Sequence, residues 1–300
     1  MITAKLTFLT PLFSRGAYED LPEIRPASIR GQLHHWLRLL GGTPAAERAI
    51  FGSVHKEFGG QGLAPAASRL VVRVSDLPSA SAAAEWLPTL PHKPSGQNPR
   101  NAPNAPRAAL PPGTSFTLHI SERLGGIPAP HRALAERAIR AWLLAGALGL
   151  RATRGGGSFQ WSEAPTEGAT FCEHLKAQMQ QAPVRFGLLS EVFTSAESAR
   201  KMITETIAHP AFAHLSYPLG AVRQGQQDPA PSRKTSPLRL TVRRFADVFR
   251  ILALWDERQA VTGNTRQHLR DAIQILAQGT SLSRPTRIGQ LLAKSSLSIS

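Results

Sequence analysis

A chain of 300 residues with 42% hydrophobic content suffices for one large or two modest domains with a buried core, and no apolar run approaches the ~18–20 residues of a membrane span. Its single cysteine, Cys172, excludes an intrachain disulfide and any cysteine-based zinc cluster. The N-terminal stretch MITAKLTFLTPLF is a poor signal peptide, so the expected location is the cytoplasm, with no membrane partner.

Charge is the most informative quantity. Lys+Arg total 35 against 20 Asp+Glu, a net charge of +15, and only seven of the 35 are lysines, leaving 28 arginines. Arginine presents a planar fork of donors that grips phosphate oxygens in pairs and stacks on bases. The expected partner is therefore a polyanion, and nucleic acid is the commonest one.

In chain order, residues 2–9 alternate apolar Ile2, Ala4, Leu6 and Phe8 with Thr3, Lys5 and Thr7, the pattern of a half-buried strand. A helix follows over about 29–40, then strands over 69–76 and 113–121, a helix over 130–149 and a short strand over 158–161. The order is β-α-β-β-α-β, that of the ferredoxin-like or RRM-like fold, an α+β class with two helices on one face of an antiparallel sheet. The aromatic motif with which RRM domains stack bases is absent from TSFTLHI, so any RNA grip falls to loops and helix ends. Residues 79–112, rich in Pro, Ala and Asn, read as a long inserted loop that carries Lys93, Arg100 and Arg107. The expected first domain is 1–165. The second, 166–300, reads as more helical, with helices near 170–181, 195–208, 246–258 and 264–278 and one strand over 236–245. A reduced second RRM-like unit is an open alternative, since no clean repeat is visible.

Two stretches look built for anions. In EIRPASIRGQLHHWLRLL (23–40), Ile29, Leu33, Trp36, Leu37 and Leu40 form an apolar face, with Arg30, His34, His35 and Arg38 on the opposite arc. Ser28 reads as the N-cap, and Gly31 removes a side chain from the first turn. Unpaired amides there, flanked by Arg25 and Arg30, meet the requirements of a phosphate site at a helix start. In GLRATRGGGSFQW (149–161), Arg151 and Arg154 precede Gly155, Gly156 and Gly157, whose successive amides suit an anion-binding nest. The G-K-[ST] ending of a nucleotide-binding loop is missing.

The islands TPLFSRGA, EIRPASIRGQLHHWLRLL, LPPGTSFTLHIS, GLRATRGGGSF and SRKTSPLRL occur in the order seen in RAMP proteins of CRISPR systems, and the chain resembles that superfamily. It is most similar to the first-RAMP subunits of Cmr-type, type III-B effector complexes. The resemblance implies a subunit that binds guide RNA near its 3′ end, helps admit complementary target RNA and contacts other effector subunits in a ribonucleoprotein of antiviral defence. By position, Arg25, Ser28, Arg30, Gly31, Arg151, Arg154 and Gly155 to Gly157 would hold guide phosphates, with Arg233, Lys234 and Ser236 adding contacts from the second half. Backbone contacts of this kind do not read sequence, which suits a protein that accepts any guide.

Catalysis is the competing reading. His34 or His35 would serve as general acid or base in a metal-independent, guide-processing endoribonuclease. The same side chains suit RNA contact equally well, no metal or cofactor motif is present, and residues 79–112 contain no aspartate. The expectation is a binding subunit, not an enzyme.

Overall fold

The structure, a computed structural model, describes residues 2–15, 21–53, 65–79, 83–93, 106–189, 191–208, 236–262 and 266–278. In the first half run β1 (Ile2–Phe8), α1 (Pro26–Leu39), α2 (Pro44–Phe51), β2 (Leu70–Ser75), β3 (Glu85–Leu87), β4 (Arg107–Ala109), β5 (Ser115–Glu122), α3 (Ala129–Ala145) and β6 (Phe159–Trp161). The second half continues with α4 (Gly168–Gln178), β7 (Val184–Leu188), α5 (Ala196–Ala208), β8 (Leu238–Phe245) and β9 (Val248–Asp256). Two helices, α6 (Gln259–Thr262) and α7 (Arg266–Gln278), follow them. No helix among the described residues is long and apolar enough to cross a membrane.

The alternation in β1 places the first sheet. Its strand order is β2-β5-β1-β6, antiparallel throughout, with Leu6 opposite Phe116 and Ala4 opposite Leu118. These residues and Phe8 are buried under α1 and α3, which contribute Ile29, Leu33, Trp36, Ala138 and Trp142 to the same core. The opposite face stays open and polar: Thr7, Ser115, Thr117 and His119 are half-buried, and Lys5 and Arg73 are exposed. Period-two sorting of side chains thus leaves one dry and one wet face.

The second sheet has the order β7-β9-β8, so β7 and β8 both run antiparallel to β9. One face packs Leu240, Val242, Ile251 and Ala253 against Ala199, Ile203, Leu269 and Ala272 of α5 and α7. The other face sends Phe245, Leu252 and Leu254 into the first core, alongside Phe171 and Leu175 of α4. Arg243 is buried at this seam. Its guanidinium donates to Phe159 O and Gly146 O at 2.5 Å each, tying β6 and the end of α3 to β8. Burial pushes the Arg243 pKa down to about 9.

Three local expectations change. Residues 246–258, expected as a helix, turn at Ala246 (φ 48°) and form β9. A strand buried on both faces carries a continuous apolar run, here ILALW, which periodicity cannot tell from a buried helix. The insertion 79–112 contains a two-stranded ribbon, Glu85–Leu87 against Arg107–Ala109. The first helix starts at Pro26, with Arg25 at the N-cap position and no side-chain cap bond. Ser28 is therefore an exposed residue inside the first turn and not the cap.

Candidate nucleic-acid interface

The polar arc of α1 is mostly stitched to α2. Arg30 donates from Nη2 to Phe51 O, the last carbonyl of α2, where a cation complements the helix dipole. His34 stacks on the Phe51 ring at 3.8 Å between centroids, and its Nδ1 lies 2.5 Å from Glu47 Oε1. Arg38 forks the same carboxylate, Nε to Oε2 at 2.8 Å and Nη2 to Oε1 at 2.5 Å. Burial acts to raise the Glu47 carboxyl, but hydrogen bonds from Arg38 and His34 outweigh it and hold the group below its usual range. Arg30 thus does not flank the start of its own helix. Arg25 and Gly31 do remain exposed there, Arg25 lies 3.9 Å from Glu23, and none of the described residues beyond the helix's own backbone comes within 4 Å of where a Cβ of Gly31 would stand.

His35 faces the other way, towards the second half. Burial first, then Arg239, Arg38 and Arg258, push its pKa down to about 3, so the ring is neutral at physiological pH. Arg258 donates from Nη1 to Arg38 O at 3.0 Å, closing the second half over the end of α1.

The glycine-rich loop is also corrected. Its amides are not an open nest: Gly155 N donates to Leu240 O (2.7 Å), Gly156 N to Arg151 O (3.0 Å) and Gly157 N to Pro11 O (3.0 Å). Ser158 N donates to Thr10 Oγ1, which itself donates to Gly155 O. The glycines serve close backbone packing where residues 9–13, the end of α3 and β8 meet. At Gly157 (φ 57°) a Cβ would lie 1.9 Å from Leu148 O. Ser236 is likewise committed, donating to Leu238 O at 2.7 Å and accepting from Leu238 N. Arg233 and Lys234 lie outside the described residues.

What this junction does offer is side-chain charge. Arg151, in a left-handed conformation (φ 59°), and Arg154 are half-buried around the loop. Burial lowers both, and Arg151 is lowered further by Arg154 and by Arg107 of β4. Arg200 of α5 is 3% exposed, lies 5.4 Å from the Phe13 ring centroid and donates to Thr89 O at 2.9 Å. Burial and then Arg151 push the Arg200 pKa down to about 10, against Glu197. His92 is lowered by burial and by Lys93 and Arg151, with Glu205 opposing. The Nε atoms of Arg151 and Arg200 are buried without a hydrogen-bond partner. Among the described residues no carboxylate forms an ion pair with Arg107, Arg151 or Arg200. Mutual repulsion of this kind is relieved by an anion.

Sequence reading reached Arg107, Arg151 and Arg154 and missed Arg200, His92 and Trp86. Arg200 sits on the buried stripe of α5 between Ala196 and Ile203, an arginine at a core position, which was the available signal. Trp86 is 64% exposed on the β3–β4 ribbon, one residue pair from Arg107.

Residues 5–160, just over half the chain, match the family model of the RAMP superfamily. The chain belongs to that superfamily. No curated protein sequence matches this RAMP protein, whereas solved structures match it in fold. Cmr1 from Pyrococcus furiosus, in its apo form, is 13% identical over 85% of this chain and 88% of its own, with a TM-score of 0.52. A chain of the type III-B Cmr-beta complex, bound to cognate target RNA and AMPPnP in the presence of ssDNA, is 11% identical. That match covers 91% of the RAMP protein and 98% of the other chain, with a TM-score of 0.56. Cmr-beta bound to cognate target RNA gives 9% identity, 90% and 99% coverage and a TM-score of 0.53. At such identities the likeness is one of fold.

Proposed function

We propose that this RAMP protein is a non-catalytic RNA-binding subunit of a type III CRISPR effector complex. It holds guide RNA by its phosphate backbone and helps capture complementary target RNA. The observation that carries the reading is the cluster of Arg107, Arg151, Arg154 and Arg200, basic side chains from both halves gathered around one junction, with a buried, unsatisfied Nε on Arg151 and on Arg200. Guanidinium groups set around a crevice grip a phosphodiester chain without reading its bases. Arg25 and the open space at Gly31 provide a second approach at the start of α1. Trp86, exposed on the same ribbon, supplies a flat apolar surface for one base.

The topology supports the same assignment. We read β2-β5-β1-β6 with α1 and α3 as a ferredoxin-like βαββαβ unit, and β7-α5-β8-β9 as a second such unit reduced by one strand. The nuclease alternative is disfavoured by the surroundings of its two candidates: His35 is half-buried and neutral, and His34 is bound to Glu47 and Phe51.

The test is a binding titration of purified protein against single-stranded RNAs of unrelated sequence at several salt concentrations. Arg107→Glu with Arg151→Glu should weaken all of them alike and flatten the log–log salt dependence by about one unit for each phosphate no longer gripped. Unchanged affinity would remove the cluster as the RNA seat. Incubation with repeat RNA in EDTA should leave it intact; cleavage abolished by His34→Ala or His35→Ala would replace this reading with the nuclease.

A further inference from the structure

We infer that the outer edge of β2 is a docking site for an acidic, extended segment of a partner protein, which pairs with the strand and sets its carboxylates against Arg69, Arg73 and Arg123. Three observations meet there.

The first is an open strand edge. β2 lies at the end of the order β2-β5-β1-β6, and no strand pairs with its outer side among the described residues. Arg123 N donates to Arg69 O at 2.9 Å, which sets the parity of the pairing: Val71, Arg73 and Ser75 bond inward to β5. Val72 and Val74 therefore turn both N–H and C=O outward. An exposed edge of this kind is a template for an added strand.

The second is a groove beside that edge, about 630 Å³, lined by Ser68, Arg69, Val71, Arg73, Ser121 and Arg123 among others. All three arginines are exposed, and no ion pair involves them among the described residues. The nearby carboxylate, Glu122, is already occupied by Arg132 and by Ile127 N.

The third is an apolar anchor. Arg69 donates from Nη1 to Leu124 O at 3.2 Å, and Gly125 (φ 89°) and Gly126 (φ 62°) turn the chain sharply. Leu124 is thereby held 99% exposed at the rim of the groove.

Charge alone would admit RNA as well as an acidic protein. The edge decides for protein: outward-turned residues offer a donor and an acceptor, which a strand satisfies together, whereas phosphate oxygens only accept. Among the described residues no aromatic side chain lines the groove to stack a base. It also lies at the far edge of the sheet from β6, roughly 14 Å across three strand spacings from the glycine-rich junction that precedes β6.

The test uses the full chain and, as probe, a capped peptide of alternating glutamate and valine. Controls are the same peptide with lysine for glutamate, a version N-methylated at alternate residues, and oligouridylate. The glutamate peptide should bind and slow amide exchange at Val72 and Val74. Arg73→Glu should weaken it by about tenfold or more while leaving RNA affinity unchanged. The lysine and N-methylated peptides should not bind. Absence of binding, binding indifferent to N-methylation, or protection of the Val72 and Val74 amides by oligouridylate instead would each overturn the inference.

Discussion

The two sheets of this protein follow the same early course, strand, helix, then two strands with the last placed centrally, yet they meet solvent differently. The first is covered on one face by α1 and α3 and keeps the other wet. The second is covered on both, by α5 and α7 on one side and by the first half on the other. A one-sided sheet alternates and announces itself; a two-sided one reads as an unbroken apolar run. Closing the second sheet onto the first also brings charged groups to a seam where water no longer serves them, which is how Arg243 and Arg200 come to be buried and His35 partly so.

The strongest way to break this comparison is at the seam. Arg243→Leu leaves the Phe159 and Gly146 carbonyls without their donor and should lower stability by about 4 kcal/mol in urea unfolding. A decrease under about 1 kcal/mol would mean the two halves do not depend on this link. Next comes a matched pair of substitutions. Ala253→Asn, in β9 and buried, should cost about 3 kcal/mol, whereas Thr117→Asn on the wet face of β5 should stay within about 0.5 kcal/mol. Equal costs would show that the two sheets are covered alike.

A pH series sharpens the seam further. His35 is neutral in the fold with its pKa pushed down to about 3, while in the unfolded chain it protonates below about 6.5. The unfolded state then binds the extra proton, so this contribution to stability should be level above pH ~6.5 and fall by roughly 3 kcal/mol as pH drops to about 4. His35→Gln should remove that part of the slope; an unchanged profile would mean the ring is not held neutral. A smaller loss is expected from Trp86→Ala, which should weaken single-stranded RNA binding by about 1 kcal/mol in a filter or anisotropy assay without changing the unfolding midpoint. A drop in the midpoint would make Trp86 a packing residue.

Much of the first half was legible because its signals are local. Leu6, Phe8, Leu118, Trp36 and Trp142 declare their faces within one or two turns or strand repeats, and all lie in the core. The second half was less so, since ILALW carries no period and the helix α5 hides an arginine on its apolar stripe. The candidate site was legible in residue type and not in role. Arg151 and Arg154 stand where charge gathers, yet the glycines beside them serve packing, and Ser28 caps nothing.

The sequence by itself determined the arginine excess, the mixed α+β character of the chain and the buried face of the first helix, because composition and short-range periodicity depend only on neighbouring residues. Only the tertiary structure decided which donors stay available to a ligand. The partners that consume them come from elsewhere along the chain: Leu240 for the Gly155 amide, Pro11 for Gly157, Thr10 for Ser158 and Phe51 for Arg30. A backbone amide cannot serve both a fold and a phosphate, and that allocation is made by packing, not by local pattern.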